Sequence, residues 1–281
     1  MDHAQARYLE AKRTVDERAL DRLVRDELLD RLPPSPSVVE FAAGTGVTVP
    51  RLLEWGVEPS SYVGIEQDAD LVDYACETRA LDLDERGYPV TGTDEGFSVG
   101  ADEAVDVRFV AGDATAVADG DADLVVAQAF ADLVDHGTLL DALDRAVGDD
   151  GLAYLPITFD GGTLFQPDHP ADDRIERAYH DSIAERPGRD PRTGRHLLDR
   201  FRTATGELLA VGGSDWIVRP RDDGYPADER YFLSCLLDFV ADALDGRSVD
   251  GTGDWLSSRR QQLADGKLTY VAHQYDLLYA P

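Results

Sequence analysis

Lysine is nearly absent from this sequence. It occurs only at Lys12 and Lys267 in 281 residues, arginine supplies the remaining side-chain cations, and the formal net charge is −29. The acids are spread along the whole chain instead of gathering in one tail, so they read as a solvating coat and not as an interaction segment. High net charge keeps a chain soluble while self-repulsion works against compactness, a balance that concentrated salt relieves by screening. The composition therefore predicts a halophilic protein of a salt-adapted cytoplasm, whose acidic coat says little about partners. Cysteine is scarce too. Cys76 and Cys235 each sit in an apolar helical pattern without CxxC spacing, which points to reduced core residues and away from a disulfide or metal site. Long apolar runs are missing: no window approaches the ~18 uninterrupted residues of a membrane span. The charged opening "MDHAQARYLEAKRTVDE" also lacks the apolar stretch of a signal peptide. A soluble, cytoplasmic protein is the expectation.

What is present suffices for one large domain or one domain with an elaborate cap, and the hydrophobic fraction of 43% supplies a sizeable core. Tyr8, Leu9, Val15, Leu20, Val24 and Leu28 recur at helical spacing and predict a helix over 3–32, ended by "LPPSPS". "VVEFA", "SYVGIE", "VDVRFVAGDA", "ADLVVAQAF" and "GLAYLPITF" follow as strands. Helices come between them, among them one over 68–85 that Asp68 can cap. Residues 86–104 read as an inserted loop or small hairpin. This alternation implies parallel βαβ units, and the short, nearly continuous apolar runs imply strands covered on both faces.

After Phe159 the rhythm changes. "DDRIERAYHDSIAE" and "GRHLLDRFRTAT" are helical around the loop "RPGRDPRT", and "GELLAVGGSDWIVRP" is strand bent at Gly212 and Gly213. Two more helices precede the strand-like "KLTYVAHQYDLLY". The predicted fold is α/β: a Rossmann-like, doubly wound, mostly parallel sheet. An N-terminal helix (1–33) precedes the core (34–160), with helical cap insertions (161–205, 222–266) and closing strands (206–221, 267–281).

The stretch "VVEFAAGTG" stands at the carboxyl end of the first strand, where ligands of open α/β sheets bind. Small residues there let backbone approach a ligand, and the following helix offers unpaired N–H groups. A dinucleotide favours G-x-G-x-x-G, and residues 42–47 read A-A-G-T-G-V, a poor match. A ligand with a sulfonium and an ammonium group suits an acid at the strand end, and Glu40 supplies one.

"VVEFAAGTG" resembles the first motif of class I S-adenosylmethionine-dependent methyltransferases, an acid followed by a G-x-G-x-G loop. The resemblance implies that Glu40, Gly44, Thr45 and Gly46 line the methionine portion of S-adenosyl-L-methionine, with Ala42 in place of the family's first glycine. "YVGIEQDADLVDYA" resembles the second motif, which assigns Glu66 to the ribose hydroxyls with Gln67 beside it. "FVAGDAT" resembles the third and sets Asp113 and Ala114 at the adenine. "ADLVVAQAFADLVD" resembles the fourth strand, whose end at Gln128 lies by cofactor and substrate. The matches span roughly residues 36–160, in the family's order and spacing.

Methyl transfer from this cofactor is chiefly alignment of donor and acceptor, and a general base matters only if the acceptor must lose a proton. Asp132, His136 and His273 are the candidate bases. The family's base-methylating members carry N/D-P-P-Y/F at the fourth strand; "AQAF" is unlike it, so DNA is not an expected substrate, nor is a membrane an expected partner. The cap elements around "GSDWIVRP" suggest an enclosed site for a small-molecule acceptor with an O, N or C nucleophile. Six arginines in "RPGRDPRTGRHLLDRFR" suit carboxylate or phosphate, but in so acidic a chain they read as a solvated loop pairing with the protein's own acids. Tyr179, Trp216 and Tyr275 could face a substrate, but aromatics at these spacings are more often core, and that is the expectation. A nicotinamide-dependent oxidoreductase and a non-catalytic cofactor-binding protein are the competing readings.

Overall fold

The computed structural model describes residues 6–101, 104–116 and 120–281. The apolar runs become strands β1 (Ser37–Phe41), β2 (Ser61–Glu66), β5 (Val105–Ala111), β6 (Ala122–Val126) and β7 (Val147–Gln166), while 86–104 contributes the hairpin β3 (Val90–Gly92) and β4 (Gly96–Val99). Further on lie β8 (Glu207–Gly213), β9 (Trp216–Val218) and β10 (Thr269–Ala280). The sheet runs β3-β4-β5-β2-β1-β6-β7-β10-β8, with β9 also on β10. Its five central strands, β5 to β7 in this order, are parallel, and the strands at either edge are antiparallel. The order reverses between β1 and β6, so the crevice of the fold opens at the carboxyl end of β1.

Alternate residues of the central strands bury on opposite faces. On one face Val38, Tyr62 and Leu124 pack under α2 (Arg22–Arg31), α3 (Thr48–Glu54) and α4 (Ala69–Glu85). On the other, Phe41, Ile65 and Val125 pack under α5 (His136–Ala146) and α7 (Thr193–Phe201). Both faces are covered, which is why these strands read as continuous apolar runs.

The N-terminal periodicity resolves into two helices, α1 (Ala6–Ala19) and α2, not the single helix expected. Asp21 makes the break. Its carboxylate accepts from the N–H groups of Leu23 (2.9 Å) and Val24 (3.0 Å), capping α2, while its own N–H donates to buried Asp276 at 2.8 Å. Asp276 also accepts from the N–H of Ile157 at 2.9 Å and from the Tyr154 hydroxyl at 3.2 Å. Ile157 has φ of 59°, which for a β-branched side chain costs about 1–3 kcal/mol; the Asp276 carboxylate is its local support.

β7 does not stop at Phe159. It pairs with β6 as far as Tyr154 and then continues against β10 to Gln166. This antiparallel ribbon, extended by β9, carries a third apolar cluster in which α1, α6 (Asp172–Ala184), α8 (Glu229–Leu244) and α9 (Thr252–Ala264) meet. Half-buried ion pairs fasten α1: Arg18 holds fully buried Glu229 of α8, and buried Arg79 of α4 holds Glu10 at 2.7 Å. The N-terminal helix thereby lies over the crevice as part of the cap.

Candidate functional site

The glycine-rich loop is built from left-handed backbone. Ala42, Gly44 and Gly46 have φ of 52°, 54° and 73°. A Cβ at Gly46 would stand 2.4 Å from the Phe109 ring, so only glycine fits. At Gly44 it would stand 3.2 Å from Leu9 Cδ1 of α1. Ala42 keeps its methyl in a conformation that glycine adopts freely, at a strain of about 1–2 kcal/mol. The departure from glycine is a cost in backbone energy and leaves the turn itself intact.

Two acids flank this turn. Glu66, the last residue of β2, accepts from the N–H of Gly44 at 2.9 Å through one oxygen and from that of Asp68 at 3.1 Å through the other. Glu40 is buried in β1, opposite Gly64 and Val126. It accepts from the Thr48 hydroxyl at 2.6 Å and from the Tyr62 hydroxyl. Burial pushes its carboxyl up to about 7, against those hydrogen bonds and the Arg51 guanidinium.

A cavity of about 450 Å³ begins at this turn and continues beneath the cap, within the range of small-ligand sites. The structure brings Glu40, Ala42, Gly44, Thr45, Glu66, Gln67, Ala114, Gln128 and Asp132 to its wall. Gln128 accepts from Arg51 and donates to Asp16 of α1 at 2.9 Å. Asp132 lies deeper, where burial raises its carboxyl to about 6 despite Arg189 and Lys12.

Four expected residues lie elsewhere. Gly46 packs against Phe109 behind the loop. Asp113 is exposed and accepts from the N–H (2.9 Å) and hydroxyl (2.7 Å) of Thr115, which hold its carboxyl below the usual range, although its neighbours Gly112 and Ala114 do line the cavity. His136 opens α5 and reaches the Thr193 hydroxyl at 3.1 Å, with burial lowering its pKa. His273 Nδ1 meets Asp215 at 2.7 Å. Neither histidine lines the cavity.

Other wall residues were either missed in the sequence or read there as core or solvated loop. Asp16, 1% exposed, accepts from Gln128 and from the Trp216 indole N–H at 2.8 Å, and pairs with Lys12 at 3.3 Å. The signal was available: Lys12 and Asp16 occupy the helix stripe shared with Tyr8, Ala11 and Val15, where charge is out of place. Tyr179 and Trp216 face the cavity and not only the core. The arginine-rich stretch divides. Arg195 pairs with Asp160 at 2.7 Å and Arg202 with Asp199 at 3.3 Å, as expected, but Arg186 and Arg189 line the cavity. Among the described residues, no group of three His, Cys, Asp or Glu could hold a metal ion, and no helix is long and apolar enough to cross a membrane.

No family model and no curated protein matches the sequence. Solved structures match its shape. A candidate methyltransferase from Bacillus halodurans aligns at a TM-score of 0.53 and 12% identity, covering 91% of this chain and 97% of that one. A SAM-dependent methyltransferase from Thiobacillus denitrificans, crystallised with S-adenosyl-L-homocysteine, aligns at 0.49 and 16%, covering 93% and 92%. Another from Geobacter sulfurreducens, with the same ligand, aligns at 0.49 and 15%, covering 94% and 92%. At such identities shape is what is shared, and the first of these alignments, together with the strand order, establishes that this chain has the Rossmann-like fold of class I methyltransferases.

Proposed function

We propose that the protein is an S-adenosylmethionine-dependent methyltransferase whose acceptor is a small molecule enclosed beneath the cap. The observation that carries this reading is the pair of acids at the turn: Glu66 at the end of β2, braced on the Gly44 amide, and Glu40 at the end of β1, both on the wall of one cavity that runs on under the cap. The donor set fits that cofactor. Glu66 keeps lone pairs for a ribose diol, Gly112 and Ala114 form an uncharged rim for the base, and Glu40 with Thr45 lies where a cationic amino-acid end is favoured. A pyrophosphate, by contrast, would meet these two carboxylates. When bound, the cofactor supplies a methyl group already activated on sulfur.

The chain's own share is then alignment, exclusion of water and, for a protic acceptor, removal of a proton. Of the three candidate bases Asp132 is the one on the cavity wall, and a carboxylate titrating near 6 can accept a proton at neutral pH. In this reading His136 is a hydrogen-bonded strut between α5 and α7, and His273 one between β10 and Asp215.

Calorimetric titration in concentrated potassium chloride tests the proposal with S-adenosylmethionine, S-adenosylhomocysteine and NADH. The first two are expected to bind, NADH to fail, and Glu66→Ala to weaken the first two at least about tenfold, the loss of charged hydrogen bonds. Binding of NADH alone would make the protein a nicotinamide enzyme. No binding by a folded sample would refute the cofactor assignment. Binding without turnover on any acceptor would favour a non-catalytic protein.

A further inference from the structure

Arginine is the only abundant cation of this chain, and acids outnumber Lys and Arg together by 56 to 27. Those that turn furthest inward each meet at least one carboxylate or carbonyl oxygen: Arg79 that of Glu10, Arg259 that of Asp172, Arg51 that of Gln128. Arg22, Arg177, Arg192, Arg200, Arg219 and Arg221 have no side-chain hydrogen bond or ion pair, and all six are exposed to water. Arg186 and Arg189 differ from both groups. They are partly buried, they line the cavity, and their guanidinium groups make no hydrogen bond or ion pair with any described residue.

Such an arrangement is unfavourable as it stands. Each guanidinium has five donors to satisfy, and two like charges facing one cavity repel. Burial and the Arg186 charge together lower the proton affinity of Arg189, with Asp132 and Tyr179 as the opposing charges. Asp132 supplies one negative charge against two guanidinium groups and forms an ion pair with neither. In a chain with this surplus of acid, the absence of a protein partner leaves room for an anion brought by the ligand. Phe159, Tyr179, Ile183, Trp216, Leu236 and Phe239 give that chamber apolar and aromatic walls, interrupted by Lys12, Asp16, Ser182 and Gln274.

We infer that the methyl acceptor is an organic carboxylate with an aromatic or aliphatic body, its carboxylate held by Arg186 and Arg189. This rests on the methyltransferase reading for the word acceptor; the anion site itself rests on the two arginines. A planar carboxylate matches the guanidinium fork, and the apolar walls take up the rest of the molecule. The arginines anchor the ligand by an acid group that is not the one methylated, so they act as specificity-determining residues, while Asp132 faces the same chamber as the candidate base.

The test compares acids with their neutral amides, cinnamate with cinnamamide and octanoate with octanamide. Titrations are run at fixed potassium chloride with and without saturating S-adenosylhomocysteine, on the full-length protein and on Arg186→Gln, Arg189→Gln and the double variant. At least one acid is expected to bind about tenfold or more tightly than its amide, the difference of a charged hydrogen-bonded pair. That advantage should fall below about threefold in the double variant, with S-adenosylhomocysteine affinity retained. Equal binding of acid and amide, binding of neither, or an advantage that survives in the folded double variant would overturn the inference. If the double variant does not fold, the single variants and the wild-type comparison decide. Acid binding in a protein that ignores S-adenosylhomocysteine would sustain the anion site and reject the methyltransferase reading, so the two failures are told apart.

Discussion

Glu40 makes stability depend on pH in a direction that is unusual for a carboxylate. Its carboxyl moves from an ordinary 4.5 to about 7 because β1 buries it. Below 4.5 the site is protonated in both the folded and unfolded chain, and its contribution to stability is complete. Above 4.5 the unfolded chain releases the proton and the folded protein keeps it, so stability declines as pH rises, until the folded site ionises near 7. At about 1.36 kcal/mol for each tenfold difference in proton affinity, the full effect is about 3 kcal/mol, most of which is lost between pH 5 and pH 8. Glu40→Gln keeps the shape and cannot ionise, and the Thr48 and Tyr62 hydroxyls can both donate and accept. Thermal unfolding of both proteins across that range, in concentrated salt, is the assay. Asp132 and Glu176, which titrate at about 6 and 7, are present in both and cancel in the difference. The wild type is expected to lose roughly 5–10 °C more than Glu40→Gln between pH 5 and pH 8. The same proton should oppose a cationic ligand, so S-adenosylmethionine affinity should rise through pH 7 in the wild type and stay flat in the variant. Parallel melting curves in the two proteins would refute the reasoning, because Glu40 would then be ionised throughout.

Ala42→Gly relieves about 1–2 kcal/mol of left-handed strain and adds about 0.4–1 kcal/mol of unfolded-chain entropy, so a net gain of about 0.5–1 kcal/mol is expected. Calorimetric melting should show a rise of about 1–3 °C with S-adenosylhomocysteine affinity unchanged or higher; a lower melting point would mean that the methyl is needed. Removing salt should destabilise the protein, since 29 excess negative charges then repel unscreened. A melting temperature that holds steady as potassium chloride falls from molar to millimolar would reject salt adaptation.

Much of the core was legible because strand and helix patterns are local. "VVEFA" and "SYVGIE" bury alternate residues on two covered faces, and that doubles as a recognisable apolar run. The single helix expected over 3–32 failed for a reason no local pattern contains: the break at Asp21 is fixed by Asp276, far away in the chain. β7 outran its expected end because β10 supplies the hydrogen-bonding partner for residues beyond Phe159. Within the site, the residues legible in sequence are those set by the turn chemistry of one short loop and by acids at strand ends. Asp16 was missed, and Trp216, Arg186 and Arg189 read as core or solvated loop, because their place on the cavity depends on how α1, β9 and the loop after α6 come together.

By itself the sequence determined the alternating sheet, the small-residue turn after β1, the acids near the ends of β1 and β2, and the charge that coats the surface. Those follow from backbone sterics, from apolar periodicity and from composition, which act over a few residues or over none in particular. Only the tertiary structure decided which charges are neutralised. Arg195 and Arg186 are nine residues apart in one basic stretch, yet one meets Asp160 and the other faces the cavity. Pairing depends on which acids the fold brings within a few ångströms, and that distance is set by the packing of the cap on the sheet.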